Sequence, residues 1–245
     1  MSSYLQLNFR ILYWLLAGAT RRKGFNFSHV FQQMVRIGVE ALPMASLTSF
    51  SIGLTLAMQA SHELGKLGAN IYVPNLVAVS LLRELGPLLI AVVVIGRSGS
   101  AVTAELGTMR VSEEVEALEV MAVNPVRFLV VPRFLAMMVM LPVLTVFGTY
   151  VGMLGGWSIC YFALDMTTAS YVMRAIEAAQ PGDLYSGLCK SVVFAWLIVT
   201  IASHAGLKVE GGAEGVGAAT TLSVVHSLLA ILMANAVLTA FFFFL

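Results

Sequence analysis

The sequence predicts an all-α polytopic membrane protein, with about five transmembrane helices, N-terminal interfacial helices and one short helix in a cytoplasmic connection. Three observations carry that prediction. Of 245 residues, 59% are hydrophobic and 11% charged, against roughly 25% charged in an ordinary soluble domain. Mean hydropathy is +0.89. Several apolar runs are long enough to cross the roughly 30 Å of bilayer hydrocarbon. Together these exclude a soluble enzyme, and a net charge of +1 leaves no polybasic field to attract nucleic acid.

Residues 1–40 read as an N-terminal interfacial, amphipathic region and residues 41–245 as the membrane-spanning domain. Leu5 to Ala19 is largely apolar, but it lacks a basic start and is followed by Arg21-Arg22-Lys23, so it reads as mature protein rather than a signal peptide. Arg10 interrupts that run, and Phe31, Val35, Ile37 and Val39 share the next segment with Gln32, Gln33, Arg36 and Glu40; both mixtures suit helices lying in the interface. The first span, about 41–61, is free of charge between Glu40 and His62. The second, about 71–96, has Pro74 near its start and carries Arg83 and Glu84 inside it. The third, about 134–164, is charge-free and longer than a bilayer requires, which calls for tilt or a bend near Pro142. The fourth, about 184–207, contains Lys190, and the fifth, about 222–245, has no charge.

An odd number of spans puts the termini on opposite sides, and the basic residues say which side is which. Ten of the fourteen fall in the N-terminal region (Arg10, Arg21, Arg22, Lys23, Arg36), the second connection (Arg97, Arg110, Arg127, Arg133) and the fourth (Lys208). The other side has Lys66 and Arg174, while Arg83 and Lys190 lie within spans. The N-terminus and the second connection are therefore expected in the cytoplasm and the C-terminus on the opposite side. The longest connection, Arg97 to Arg133, is too short to bury a core of its own.

Within it, the stretch Arg110 to Pro125 holds four of the thirteen acids. Val111, Val115, Leu118 and Ala122 recur at the spacing of one helix face, with Glu113, Glu114, Glu116 and Glu119 on the rest. Ser112 reads as the N-cap and Asn124-Pro125 as the stop, giving a helix over 112–122. It is either a solvated connector or a docking helix for a cytoplasmic subunit. Arg83, Glu84 and Lys190 are the second informative set, since a lone charge at bilayer depth costs about 2.5–3.5 kcal/mol and seeks a partner or a wet cavity. Counted from the span starts, they lie at depths of roughly 10 and 14 Å, close enough to meet. They form either a structural ion network or the polar level of a cavity for an amphipathic ligand. Arg97 and Glu105 are expected to stabilise the inner end of span two and its junction to the acidic helix.

Gly148, Gly152 and Gly156 form a small-xxx-small series on one face of span three, which permits close helix approach within or between subunits. Cys160 and Cys189 lie in apolar runs and read as buried small hydrophobes. His29, His62, His204 and His226 are too scattered to suggest a metal site. Gly211 to Gly217 reads as a flexible link, since it lacks the lysine of a phosphate-binding loop.

Leu82-Arg-Glu-Leu-Gly-Pro87, Gly96-Arg-Ser-Gly-Ser-Ala-Val-Thr-Ala-Glu-Leu-Gly107, Glu119-Val-Met-Ala-Val-Asn-Pro125 and Pro132-Arg133 resemble the MlaE/YrbE family, the permease subunits of ABC transporters associated with MCE proteins. The resemblance continues through Lys190 to Phe194 and Thr221 to Ser227. It implies a homodimeric lipid permease of the bacterial inner membrane. Its partners would be two cytoplasmic ATPase subunits, which hold the ATP and Mg, and a periplasmic MCE-domain protein; its cargo would be membrane lipid, phospholipid foremost. By the same resemblance, Ser112 through Met121 becomes the ATPase-coupling helix, with Ser112, Glu113, Glu114, Val115, Glu116, Leu118, Glu119 and Met121 as its contacts. Leu56, Leu64 and Leu67 match lipid-lining positions beside Arg83, Glu84 and Lys190, and Glu63 stands where the family can have an apolar residue.

Rival readings are a proton-coupled secondary transporter using the buried charges, which should show repeated halves that five spans do not provide, an intramembrane protease built on Ser98, and a structural anchor. The protease needs a histidine within reach of Ser98. The anchor leaves the buried charges without a purpose.

Overall fold

A computed structural model describes residues 2–20 and 27–244. Arg21, Arg22 and Lys23 of the N-terminal basic set lie outside the described residues. The described part is helical, with α1 at Ser2–Thr20, α2 at Phe27–Ile37, α3 at Leu42–Lys66, α4 at Val73–Ser80, α5 at Gly86–Val94 and α6 at Ser100–Val111. There follow α7 at Glu114–Val120, α8 at Val131–Phe162, α9 at Thr168–Ala178, α10 at Pro181–Gly206 and α11 at Gly212–Phe244. Wider π-type turns at Leu81–Leu85 and Ile95–Gly99 join α4, α5 and α6 into one run, and a third at Val126–Val130 leads into α8. Among the described residues five stretches are long and apolar enough to cross a membrane: Phe27–Lys66, Asn70–Val111, Val126–Phe162, Pro181–Gly206 and Gly212–Phe244.

Every sequence-predicted span is present, and several boundaries move. The helix that carries the second span continues past residue 96 to Val111, where Arg97 meets Glu40 and Glu105 meets Arg133, so that neither charge is left unpaired at the helix surface. The fifth begins at Gly212 rather than about 222, so the glycine-rich stretch is no flexible link. Gly211 (φ +88°) and Gly212 (φ +70°) make a turn that suits glycine, after which the chain is helical. The predicted helix 112–122 shortens to α7, and Ser112 does not cap it. Its hydroxyl donates to the Thr108 carbonyl at the end of α6, while Glu113 precedes α7 in the left-handed region at φ +60°. Asn124 does not stop α7 either. Ala122, at φ +57°, turns the chain, and Asn124 Oδ1 accepts the Arg127 N–H at the start of the next helical stretch. Pro142 lies inside α8 without ending it. Helix α9 is an element the sequence reading passed over: Thr167 caps it by accepting the Ser170 N–H at 3.4 Å.

Backbone contacts divide the chain into two units. One comprises Met1–Ala41, Val94–Met140 and Val193–Ala236. In it α1 lies along α10, where the Tyr4 and Thr200 hydroxyls are 2.7 Å apart and the Trp196 indole donates to Asn8 Oδ1 at 3.0 Å. The Arg127 guanidinium sits 5.2 Å from the Trp14 ring centre, a cation–π contact. Thr103 donates to the Ala202 carbonyl and lies 2.9 Å from Ser223 Oγ, which ties α6 to α10 and α11.

The other unit comprises Leu42–Val93, Leu141–Val192 and Val237–Leu245. Its core gathers Ala57, Ala60, Val73, Val77, Leu81, Cys160 and Tyr171. Helices α3 and α8 meet backbone to backbone, since a Cβ on Gly53 would overlap the Gly152 carbonyl oxygen and one on Gly155 the Phe50 carbonyl oxygen. Gly148 faces Ser49 and Ile90, Gly152 faces Leu81 and the Ser49 carbonyl, and Gly156 faces Val77. The glycine series thus faces neighbours within this chain. Cys160 is buried as expected for a small hydrophobe, but Cys189 is exposed on α10. One apolar face of that helix lies open, and sequence alone does not say which.

Candidate functional site

Two charged clusters and one short helix stand out, each inside one unit. The first cluster surrounds Lys190, whose side chain is 1% exposed. Its ammonium donates to Glu84 Oε1 at 2.5 Å, to Thr239 Oγ1 at 2.8 Å and to the Arg83 carbonyl at 3.2 Å. An ammonium has three N–H donors, so all three are used. The carbonyl belongs to the π-type turn Leu81–Leu85, a geometry that loosens the regular hydrogen-bond ladder and is frequent at functional positions. Thr239 lies within 3.0 and 3.1 Å of the two Glu84 oxygens, so α11 is tied to span two and α10 by one hydroxyl. Sequence reasoning brought Lys190 and Glu84 together and missed Thr239, one hydroxyl in an apolar helix.

Arg83 behaves differently. It points to Asp183 at 4.0 Å with its side chain 35% exposed, a loose pair. Of the charges proposed to face lipid, Arg83 therefore keeps the most unspent donors, and Lys190 keeps none. Leu56 and Leu64 pack against the apolar core of their unit, and Leu67 lies past the end of α3, 79% exposed. A cavity of about 790 Å³ opens in the same unit, lined chiefly by α8, α9 and α10. Leu56, Leu64, Leu67, Arg83, Glu84 and Lys190 do not line it.

The second cluster joins α2 to α6 and α8. Arg36 meets Glu105 at 2.7 Å, Arg133 meets the other Glu105 oxygen at 2.9 Å, and Arg97 meets Glu40 at 2.6 Å. Arg97 and Glu105 thus do not pair with each other; each anchors a different neighbour. Ser98 is buried and donates to the Ile37 carbonyl at 3.0 Å, a packing role rather than that of a nucleophile.

The short helix α7 packs inward through Val115 and, less fully, Leu118, while Glu113, Glu114 and Glu119 are exposed. Glu116 pairs with Arg110. The expected apolar face is therefore only half used: Val111 and Ala122 are exposed. A second apolar patch follows instead, formed by Val120, Met121 and Val123 at 88%, 64% and 36% exposure. The run Glu119 to Val123 holds that signal, but a 3.6-residue period hides it, because the chain leaves the helix there.

Comparison with known families settles the class of protein that carries these features. The family model described as Permease MlaE matches residues 30–241. The chain belongs to the MlaE permease family. It is 37% identical over 216 residues to a probable ABC transporter permease protein of Rickettsia prowazekii (strain Madrid E), covering 88% of this chain and 83% of that one. It is 39% identical over 210 residues to a probable ABC transporter permease protein of Synechocystis, covering 86% and 80%. It is 36% identical over 220 residues to the intermembrane phospholipid transport system permease protein MlaE of Haemophilus influenzae, covering 89% and 84%. This MlaE-family chain is thus an ABC-transporter permease, a multi-pass membrane subunit whose family implies ATPase partners.

Proposed function

We propose that the chain is one half of a homodimeric permease that moves lipid, phospholipid foremost, between the bacterial inner membrane and a periplasmic MCE-domain carrier, driven by two cytoplasmic ATPase subunits. ATP and Mg sit on those subunits. The observation that carries this reading is α7: a short helix with exposed Glu114 and Glu119, preceded by exposed Glu113 and ending in exposed Val120, with exposed Met121 and Val123 just beyond. An apolar anchor beside a charged rim is the composition of a docking surface, and the permease family supplies the ATPase as the partner. Nucleotide-driven closure of the ATPases pushes on Ser112 to Met121 and, through the helices continuous with it, changes access to a lipid cavity. Arg83 meets the lipid headgroup, Leu56, Leu64 and Leu67 face its chains, and Lys190 with Glu84 holds the polar level in place. Residues 1–40 lie in the interface with the N-terminus cytoplasmic, and the C-terminus is periplasmic.

The docking role has its own test. Glu113→Lys with Glu119→Lys alters exposed charges of α7 without touching the Arg110–Glu116 pair. The double variant is expected to fold normally and to bind the ATPase about tenfold more weakly, equal to about 1.4 kcal/mol. Unchanged ATPase binding and unchanged ATP-dependent transport would remove α7 from the coupling path.

A further inference from the structure

The cavity between α8, α9 and α10 has no part in the docking helix or the Lys190 cluster. Its volume, about 790 Å³, lies within the roughly 300–1,000 Å³ usual for small-ligand sites. Its lining runs from Thr145 to Trp157 on α8 and from Pro181 to Leu188 on α10, stretches that belong to two candidate membrane spans. The Thr145, Thr149, Trp157 and Tyr171 polar groups on the walls are already engaged. Thr145 and Thr149 donate to the Leu141 and Thr145 carbonyls at 2.9 and 2.8 Å, the Trp157 indole to Thr168 Oγ1 at 3.1 Å and the Tyr171 hydroxyl to the Met153 carbonyl at 2.9 Å. Burial, and after it the neighbouring Cys160, raises the Tyr171 phenol well above its ordinary value, so it stays a donor.

We infer that this groove is a lateral lipid site that takes the acyl chains of one phospholipid from the surrounding bilayer, apart from the Arg83, Glu84 and Lys190 cluster. It rests on the lipid-permease reading only for the chain's place in a membrane. Three occupants compete, and physics sorts them. Water needs two to four polar partners and leaves apolar cavities dry. An empty groove forfeits the dispersion contacts of its whole lining. A partner's transmembrane helix wants small residues that let backbones approach, whereas this groove is rimmed by exposed Tyr150, Leu154, Ile176 and Leu184. The glycines of α8 that could receive a helix already face α3 and α4. An acyl chain is flexible, apolar and at hand, and it fills an irregular slot without asking for hydrogen bonds.

The experiment reconstitutes the permease with its partner subunits into phosphatidylethanolamine vesicles that contain a phosphatidylethanolamine with a photoreactive diazirine in its tail. After irradiation, labelled residues are mapped by mass spectrometry. Label should concentrate on Leu154 and Ile176 in the groove over Phe147 and Val192, which are exposed on α8 and α10 but outside it. Val172→Trp, which adds bulk at a half-exposed lining position, should lower groove labelling about tenfold and leave Phe147 and Val192 unchanged. Even labelling of all four positions, or groove labelling that Val172→Trp does not lower, would overturn the site. Groove labelling seen with the permease alone but lost in the complex would give the groove to a partner helix and overturn it equally. No ATP is needed, so these outcomes are independent of whether the permease is ATP-driven.

Discussion

Lys190→Met is expected to destabilise the permease by about 3 kcal/mol, the lower end of the cost of breaking a buried ion pair from one side. Methionine keeps most of the length, one atom short, and removes the charge. What remains is a Glu84 carboxylate without the Lys190 ammonium, with Thr239 still beside it. The lower end applies because the Glu84 side chain is 30% exposed and regains some solvation. Thermal unfolding of purified protein in detergent reads the effect. Adding Glu84→Gln should recover a good part of the loss, since neither member of the buried pair then carries a charge. A single variant as stable as wild type would show that the ammonium does not hold α10 and α11 to span two.

Gly155→Leu is the second large effect expected. Overpacking a core costs about 1–3 kcal/mol when side chains can yield, but here the obstacle is the backbone of α3: the Phe50 carbonyl and the Leu54 N–H. Backbone cannot rotate away, so α3 and α8 must separate and the cost should reach or exceed the top of that range. The same unfolding assay measures it. Gly217→Ala serves as the contrast: a Cβ there meets nothing within 4 Å inside a helix, and alanine should gain about 0.5–1 kcal/mol over glycine. If Gly155→Leu were neutral, the α3 and α8 backbones would not be in contact.

Hydropathy made the five spans legible, because a run of apolar residues in lipid has helix as its outlet for backbone hydrogen bonds. Charge position made the Lys190 and Glu84 meeting legible, because two ionised groups at similar depth have few alternatives to each other. Other features were hidden for identifiable reasons. Span two reads as ending at about residue 96, just before Arg97, because that guanidinium's partner, Glu40, lies 57 residues away. Thr239 carries no charge and breaks no pattern. Helix α9 is short and mixed, so neither hydropathy nor charge marks it; Thr167 is its one local signal. The cavity that α9 helps to line is a property of three helices together, which no single segment of sequence records.

In the proposed mechanism, ATP on a partner chain drives lipid through this permease. The most direct measurement purifies the permease with whatever binds it, reconstitutes it into vesicles with the proposed MCE-domain partner, and follows labelled phospholipid with ATP, with a non-hydrolysable analogue and with a proton gradient alone. A stoichiometric ATPase in the purified complex is expected, with lipid transfer that needs hydrolysable ATP. A permease that never retains an ATPase and moves lipid on a proton gradient without ATP would contradict it.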